Sequence, residues 1–260
     1  VGLLALVGVL AALVVIAAVL PASLARRFLP PAVSVEDFSG TIWHGSAGHV
    51  RVLGREAGAL EWELHPAALL HLALDARLHW VQQSFVLDAL LEASSGRLRL
   101  SNVEGGGPIE DLHGLGLPPG CAGLAQINLR ELEARLTAQQ LEPVSLAGTV
   151  LVSGLVWPPL GDHADLGAYR LEVPATGPGA GSGAADPGEI SGRLTDAGGG
   201  PLGLEADLHY APSTHLGTLS GTVVRRGPLP PGLERGLNDI AAMHAPDPQG
   251  RIPLDLEFTL

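Results

Sequence analysis

Leu72-Ala73-Leu74-Asp75-Ala76-Arg77-Leu78-His79-Trp80 alternates an apolar side chain with a polar or small one along its whole length. In an extended chain successive side chains point to opposite faces, so Leu72, Leu74, Ala76, Leu78 and Trp80 share one side. Ala73, Asp75, Arg77 and His79 share the other. The stretch reads as a strand with one greasy and one wet face, as an antiparallel sheet requires.

Moving outward, the same period recurs. Upstream, Trp62 and Leu64 alternate with Glu61, Glu63 and His65, and Pro66 ends that strand. Val33, Val35, Phe38, Ile42 and Trp43 fit a first β ribbon. Downstream, Phe85–Leu91 and Arg97–Val103 read as the next two strands. Gly105-Gly106-Gly107-Pro108 reads as a break, and Leu112, Leu115 and Leu117 suggest a short helical turn before Pro118-Pro119. Leu124–Leu136 resumes alternation with a slip that suggests a bulge. Further strands are expected at Gly148–Trp157, Tyr169–Val173, Ile190–Leu194, Leu202–Tyr210, Leu216–Arg225 and Gly250–Leu260. Leu233, Leu237 and Ile240 lie at helical spacing, which predicts a short amphipathic helix over Pro231–Met243.

Five strings repeat a small residue, glycine, Thr or Arg, then an aliphatic residue: Ser39–Ile42, Ser95–Leu98, Ala147–Val150, Ser191–Leu194 and Ser220–Val223. Each is read as a turn handing over to a strand. Their unequal intervals exclude a fixed-period solenoid.

The start of the chain has a different character. Val1–Leu20 contains no charge, no Asn, no Gln and no proline. Twenty apolar residues in a helix span roughly 30 Å, the thickness of a bilayer core. The run is longer than a signal-peptide core, and Pro21-Ala22-Ser23-Leu24-Ala25 is a poor cleavage site. A retained transmembrane anchor is expected, with Leu3, Leu6, Leu10, Leu13, Ile16 and Leu20 as its anchoring residues. The expected division is an anchor and flank over 1–27 and one β-rich domain over 28–260. Within the latter, Pro174–Gly188 reads as a flexible loop. The expected fold is mainly β: an N-terminal transmembrane helix, then a single large antiparallel, strongly twisted meander with one or two short helices.

The formal net charge is -12, which disfavours nucleic-acid binding. All fifteen basic residues are arginine, so a P-loop or Schiff-base mechanism has no lysine to use. Cys121 is the single cysteine and is read as a small buried residue. None of the ten histidines stands at a common metal-ligand spacing with a nearby acid. The best local cluster, Asp162, His163 and Asp165, is a weak one. No Gly-x-Ser-x-Gly string is present, so a periplasmic hydrolase has no motif to carry it. Gly179–Ala184 resembles a broken dinucleotide fingerprint without the strand and helix it needs. No catalytic residue, cofactor or metal is expected.

Phe38-Ser39-Gly40-Thr41-Ile42-Trp43-His44-Gly45 and Leu60-Glu61-Trp62-Glu63-Leu64-His65-Pro66-Ala67-Ala68-Leu69-Leu70 resemble the start of type II secretion system protein N (GspN), as do the apolar anchor and Leu29-Pro30-Pro31. Leu166–Leu171, Gly192–Asp196, Gly199–Leu202 and Asp247–Arg251 follow in the family's order. The positions that carry the resemblance are Gly40, Trp43, Gly45, Trp62, Pro66, Tyr169, Gly192, Asp196 and Gly250. The resemblance implies a single-pass inner-membrane protein with a β-rich periplasmic domain, working beside other secretion subunits in export of folded proteins. The family brings no catalytic residue to carry over. A second reading is a lipid-binding groove of the kind that moves lipid between envelope membranes.

Overall fold

The computed structural model describes residues 20–28, 33–52, 54–71, 73–94, 96–115, 117, 120–136, 141–156, 165–175, 189–212, 214, 216–229, 231–243 and 245–259. The expected anchor up to residue 19, Asp162 and His163, the Gly179–Ala184 string and most of the Pro174–Gly188 loop lie outside them.

Sixteen strands and one α-helix organise these residues. The strands are β1 (Val33–Val35), β2 (Phe38–Gly40), β3 (His44–Ala47), β4 (Val50–Val52), β5 (Arg55–Glu56), β6 (Ala59–His65), β7 (Leu74–Gln82) and β8 (Phe85–Ser94). They continue with β9 (Arg97–Pro108), β10 (Ala122–Leu136), β11 (Leu141–Val156), β12 (Ala168–Val173), β13 (Ile190–Gly198), β14 (Leu202–Ala211), β15 (Leu216–Arg225) and β16 (Arg251–Thr259). The helix, α1, is Pro231–Met243. Three 3-10 segments, Ala22–Phe28, Pro66–His71 and Ile109–Leu115, fill connections.

Thirteen strands form one sheet in the order β2-β3-β6-β7-β8-β9-β10-β11-β12-β13-β14-β15-β16, and each adjacent pair is antiparallel. From β6 onward chain order and spatial order coincide, so most contacts are between consecutive strands. The remaining strands make a small sheet, β1-β4-β5. The first ribbon is therefore divided: Val33 and Val35 pair with Val52 and Val50, while Phe38 pairs with Ala47 in the large sheet.

Tight turns explain the short connections. Gln83 takes φ 56° between β7 and β8, and the Ser84 N–H donates to the Asp111 carboxylate at 2.7 Å. The Ser95–Leu98 string behaves as expected, with Gly96 in the turn and Arg97 opening β9. The other strings do not. Gly40 closes β2, Gly192 lies inside β13, and Gly148 and Gly221 sit in the middle of β11 and β15. In mid-strand a glycine serves close strand approach rather than turning: a Cβ on Gly221 would stand 2.2 Å from the Glu205 carbonyl oxygen.

Gly105–Gly107 is also strand, not break. Gly105 and Gly106 pair with Leu87 and Val86 on one side, and all three glycines pair with β10 on the other. Their φ values of 150–157° are open to glycine, and a Cβ on Gly106 would meet the Ala125 carbonyl at 2.1 Å. The expected slip in β10 is a register shift between Leu129 and Glu131, with Arg130 as the extra residue against β11. A matching shift in β9 occurs at Asn102, which takes φ 50°. These bulges return leucines three apart, Leu129 and Leu132, to the same face.

Two clusters form the core. Phe85, Ile109, Cys121 and Ala125 are buried together, with Trp80, Leu87, Leu112 and Ile127 packed on them. Phe85 and Cys121 are each 1% exposed. Near the β16 end Val223, Leu237, Ile252 and Leu254 are buried beneath α1, with Leu204 and Leu219 around them. Among the described residues no helix is long and apolar enough to cross a membrane.

Candidate functional site

The antiparallel register lines up residues across the whole sheet, and directly paired residues share a face. One line runs through Ser39, Ser46, Glu61, His79, Asp88, Glu104, Asn128, Thr149, Glu172, Arg193, Asp207, Ser220 and Asp255, one residue from each of the thirteen strands. Every member is polar. The line one residue along each strand runs through Phe38, Ala47, Leu60, Trp80, Leu87, Gly105, Ile127, Val150, Leu171, Leu194, Ala206, Gly221 and Leu254. Every member is apolar or glycine. At about 4.8 Å between strands each line is roughly 60 Å long.

A shorter line, Leu64, Ala76, Leu91, Leu100, Leu132 and Leu146, widens the apolar face over β6–β11. Ala47, Ala206 and Leu254 of the long apolar line are buried, while Val150, Leu171 and Leu194 are half-buried. The single polar atom among its side chains, the Trp80 indole N–H, donates to the Ala57 carbonyl at 2.5 Å.

Small ion pairs cross the polar face. His79 meets Asp88 at 2.8 Å and Arg193 meets Asp207 at 3.1 Å. The bond to Asp207 holds the Arg193 guanidinium above its ordinary pKa. All four groups are substantially exposed, so solvent screens these pairs and they contribute little to stability. His44 pairs with Glu63, and His49 with Glu56, whose carboxyl is lowered first by the bond from His49. His44, His49 and His79 each meet a carboxylate, but among the described residues no three His, Cys, Asp or Glu gather closely enough to hold a metal. A depression of about 750 Å³ lies on the polar face where Gly106 leaves room between Glu104, Gln126, Asn128 and Arg170.

The residues singled out from the sequence fall at three places along the sheet. Near the β2 edge, Gly40 turns the chain with φ 78°. Gly45 is the register partner of Trp62, and a Cβ there would come within 2.5 Å of the indole. The Trp62 N–H donates to the Ile42 carbonyl at 2.9 Å, its ring meets Phe38 edge-on, and the Trp43 carbonyl accepts from the Leu64 N–H at 2.6 Å. Pro66 opens the 3-10 segment that follows β6.

The second place is β12–β13. Tyr169 pairs with Asp196, and its hydroxyl donates to the Leu166 carbonyl at 3.0 Å. Burial, then the Asp196 carboxylate, pushes the Tyr169 phenol up. The Asp196 carboxylate accepts from the Gly198 N–H at 2.9 Å and pairs with Arg226. Gly192 is buried against Leu171 and Val173. At the third place Gly250, with φ 76°, turns into β16, and its N–H donates to the Asp247 carbonyl at 2.9 Å. Cys121 is buried, which raises its thiol pKa. Leu20 is the single expected anchor residue among those described, and its carbonyl accepts from the Ile42 N–H at 2.9 Å.

The continuous lines escape a strand-by-strand reading. Each strand's alternation is visible locally, but which residues share a line depends on pairing between segments distant in sequence.

A family model described as Type II secretion system (T2SS), protein N, matches residues 31–255, from before β1 into β16. No curated protein matches. No solved structure matches.

Proposed function

The chain belongs to the type II secretion system protein N family, and from that premise we propose that it is a non-enzymatic, inner-membrane-anchored subunit of the secretion machine with its sheet domain in the periplasm. The observation that carries the reading is the family match over residues 31–255, which spans nearly the whole sheet. The apolar run Val1–Leu20 supports the anchor, being long enough to span a bilayer core. Asp162, His163 and Asp165 are given no chemistry, and Gly40, Trp43, Gly45, Trp62, Pro66, Tyr169, Gly192, Asp196 and Gly250 shape the fold rather than a reaction.

Deletion of the gene in its own host tests the function. Folded exoprotein is expected to accumulate in the periplasm and to reappear outside when the full chain is restored. Unchanged secretion without the protein would overturn the reading. Fractionation and protease treatment of spheroplasts test the placement: the chain should stay with the inner membrane and its sheet domain should be digested. The lipid-groove reading is favoured by one separate observation, the unbroken apolar line.

A further inference from the structure

We propose that the apolar face of the large sheet is a path for the acyl chains of membrane phospholipid, entered at the β2 edge and running toward α1. The proposal deepens the lipid-groove reading and rests on the membrane-anchored placement of the chain.

Three observations carry it. First, the apolar line is unbroken across all thirteen strands, and its one polar side-chain atom is already bonded within the protein. An occupant with polar groups of its own would leave them unsatisfied against such a surface, whereas a hydrocarbon chain has none. Second, of the described helical segments one packs at the middle of the thirteen-strand order and one at its β16 end. The 3-10 segment Ile109–Leu115 packs on β8, β9 and β10, and α1 on β16. Between them Val150, Leu171 and Leu194 remain half-buried, and Leu256, on the same face, is 46% exposed. Third, the chain outside the described residues says where the mouth lies. The bilayer-length apolar stretch Val1–Leu20 ends at Leu20, which is bonded to Ile42. Pro21 bridges Thr41, and the following 3-10 segment packs on β2 and β3. Phe38, the first residue of the apolar line, is in β2. The β2 end of the line is thereby tied to the end of the segment that matches a bilayer in length and polarity.

The test uses neighbours in one strand that face opposite ways. A photo-crosslinking amino acid replaces Leu171 or Leu194 on the apolar face, or Glu172 or Arg193 on the polar face, in the full chain. Cells are grown with radiolabelled phosphate and illuminated, and the denatured protein is isolated. Phospholipid label is expected on the Leu171 and Leu194 variants and background on the Glu172 and Arg193 variants. Leu256 gives a further apolar-face position, already exposed, should the more enclosed ones fail to fold. Label from both faces, from neither, or a protein adduct in place of lipid would overturn the proposal. A second copy of the chain or a peptide partner on this face would appear as that protein adduct. If deletion leaves secretion intact, the secretion reading falls and the labelling pattern stands.

Discussion

Trp62 ties three segments together at one residue. Its indole N–H reaches the Ile42 carbonyl, its ring meets Phe38, and Gly45 opposite it has no side chain to obstruct the ring. Trp62→Ala should therefore cost about 3 kcal/mol, toward the lower end for losing a large aromatic because the ring is half-buried. Denaturant unfolding of the full chain in detergent reads this, and an unchanged midpoint would remove Trp62 from the fold-shaping residues. Gly45→Ala should destabilise too, since its Cβ would be 2.5 Å from the indole and 2.6 Å from the Thr41 carbonyl. Tyr169 predicts a pH effect. Its phenol is raised above the ordinary 10.0, first by burial, so the folded state keeps a neutral group that the unfolded chain ionises first. That contribution is fully present below the unfolded pKa and is lost as pH rises through the folded one. Stability should fall in this alkaline window, and Tyr169→Phe should flatten the fall. Parallel alkaline profiles for the two proteins would exclude Tyr169 as its source.

At the scale of elements, α1 closes one end of the apolar face. Leu233 and Leu237 are buried on one side of it, at the spacing that predicted the helix, and Leu237 packs with Val223, Ile252 and Leu254. The Arg225–Glu234 pair at 3.0 Å is exposed and contributes little by comparison. Leu237→Ala should cost about 2–4 kcal/mol and Glu234→Ala less than about 1 kcal/mol. Equal losses, measured by thermal or denaturant unfolding, would contradict the packing described. The helix and most strands were legible because each carries its period in its own residues. β7 needed only Leu74–Trp80, and β16 only Ile252–Phe258. Gly105–Gly107 misled because three glycines weaken a strand locally, whereas here pairing with both β8 and β10 holds them extended. The string Ala147–Val150 misled for the same reason. Its glycine lies in a strand that starts earlier, at Leu141, and a Cβ on Gly148 would stand 2.4 Å from the Asn128 carbonyl oxygen.

At the scale of the whole molecule, alternation within strands and register between them combine into two surfaces of opposite character. A strand's side-chain period is two, so a shift of one residue moves a substitution from one surface to the other. Thr149 and Val150 are adjacent in β11, as are Leu171 and Glu172 in β12, yet each pair is split between the polar and the apolar line. An introduced carboxylate at Thr149 joins a row that already carries Glu104, Glu172 and Asp207 and stays hydrated. The same group at Val150 must sit among Ile127 and Leu171, where a charge without a partner is costly. Thr149→Asp should therefore shift stability by no more than about 0.5 kcal/mol, the usual range for surface changes, and Val150→Asp by about 2 kcal/mol or more. Glu172→Asn and Leu171→Asn should repeat the contrast one strand over. Steady-state level in the membrane fraction and unfolding of the purified full chain both report it. If Val150→Asp proves as harmless as Thr149→Asp in both assays, the two lines are not two faces, and both the fold and the acyl-chain path built on it would have to be given up.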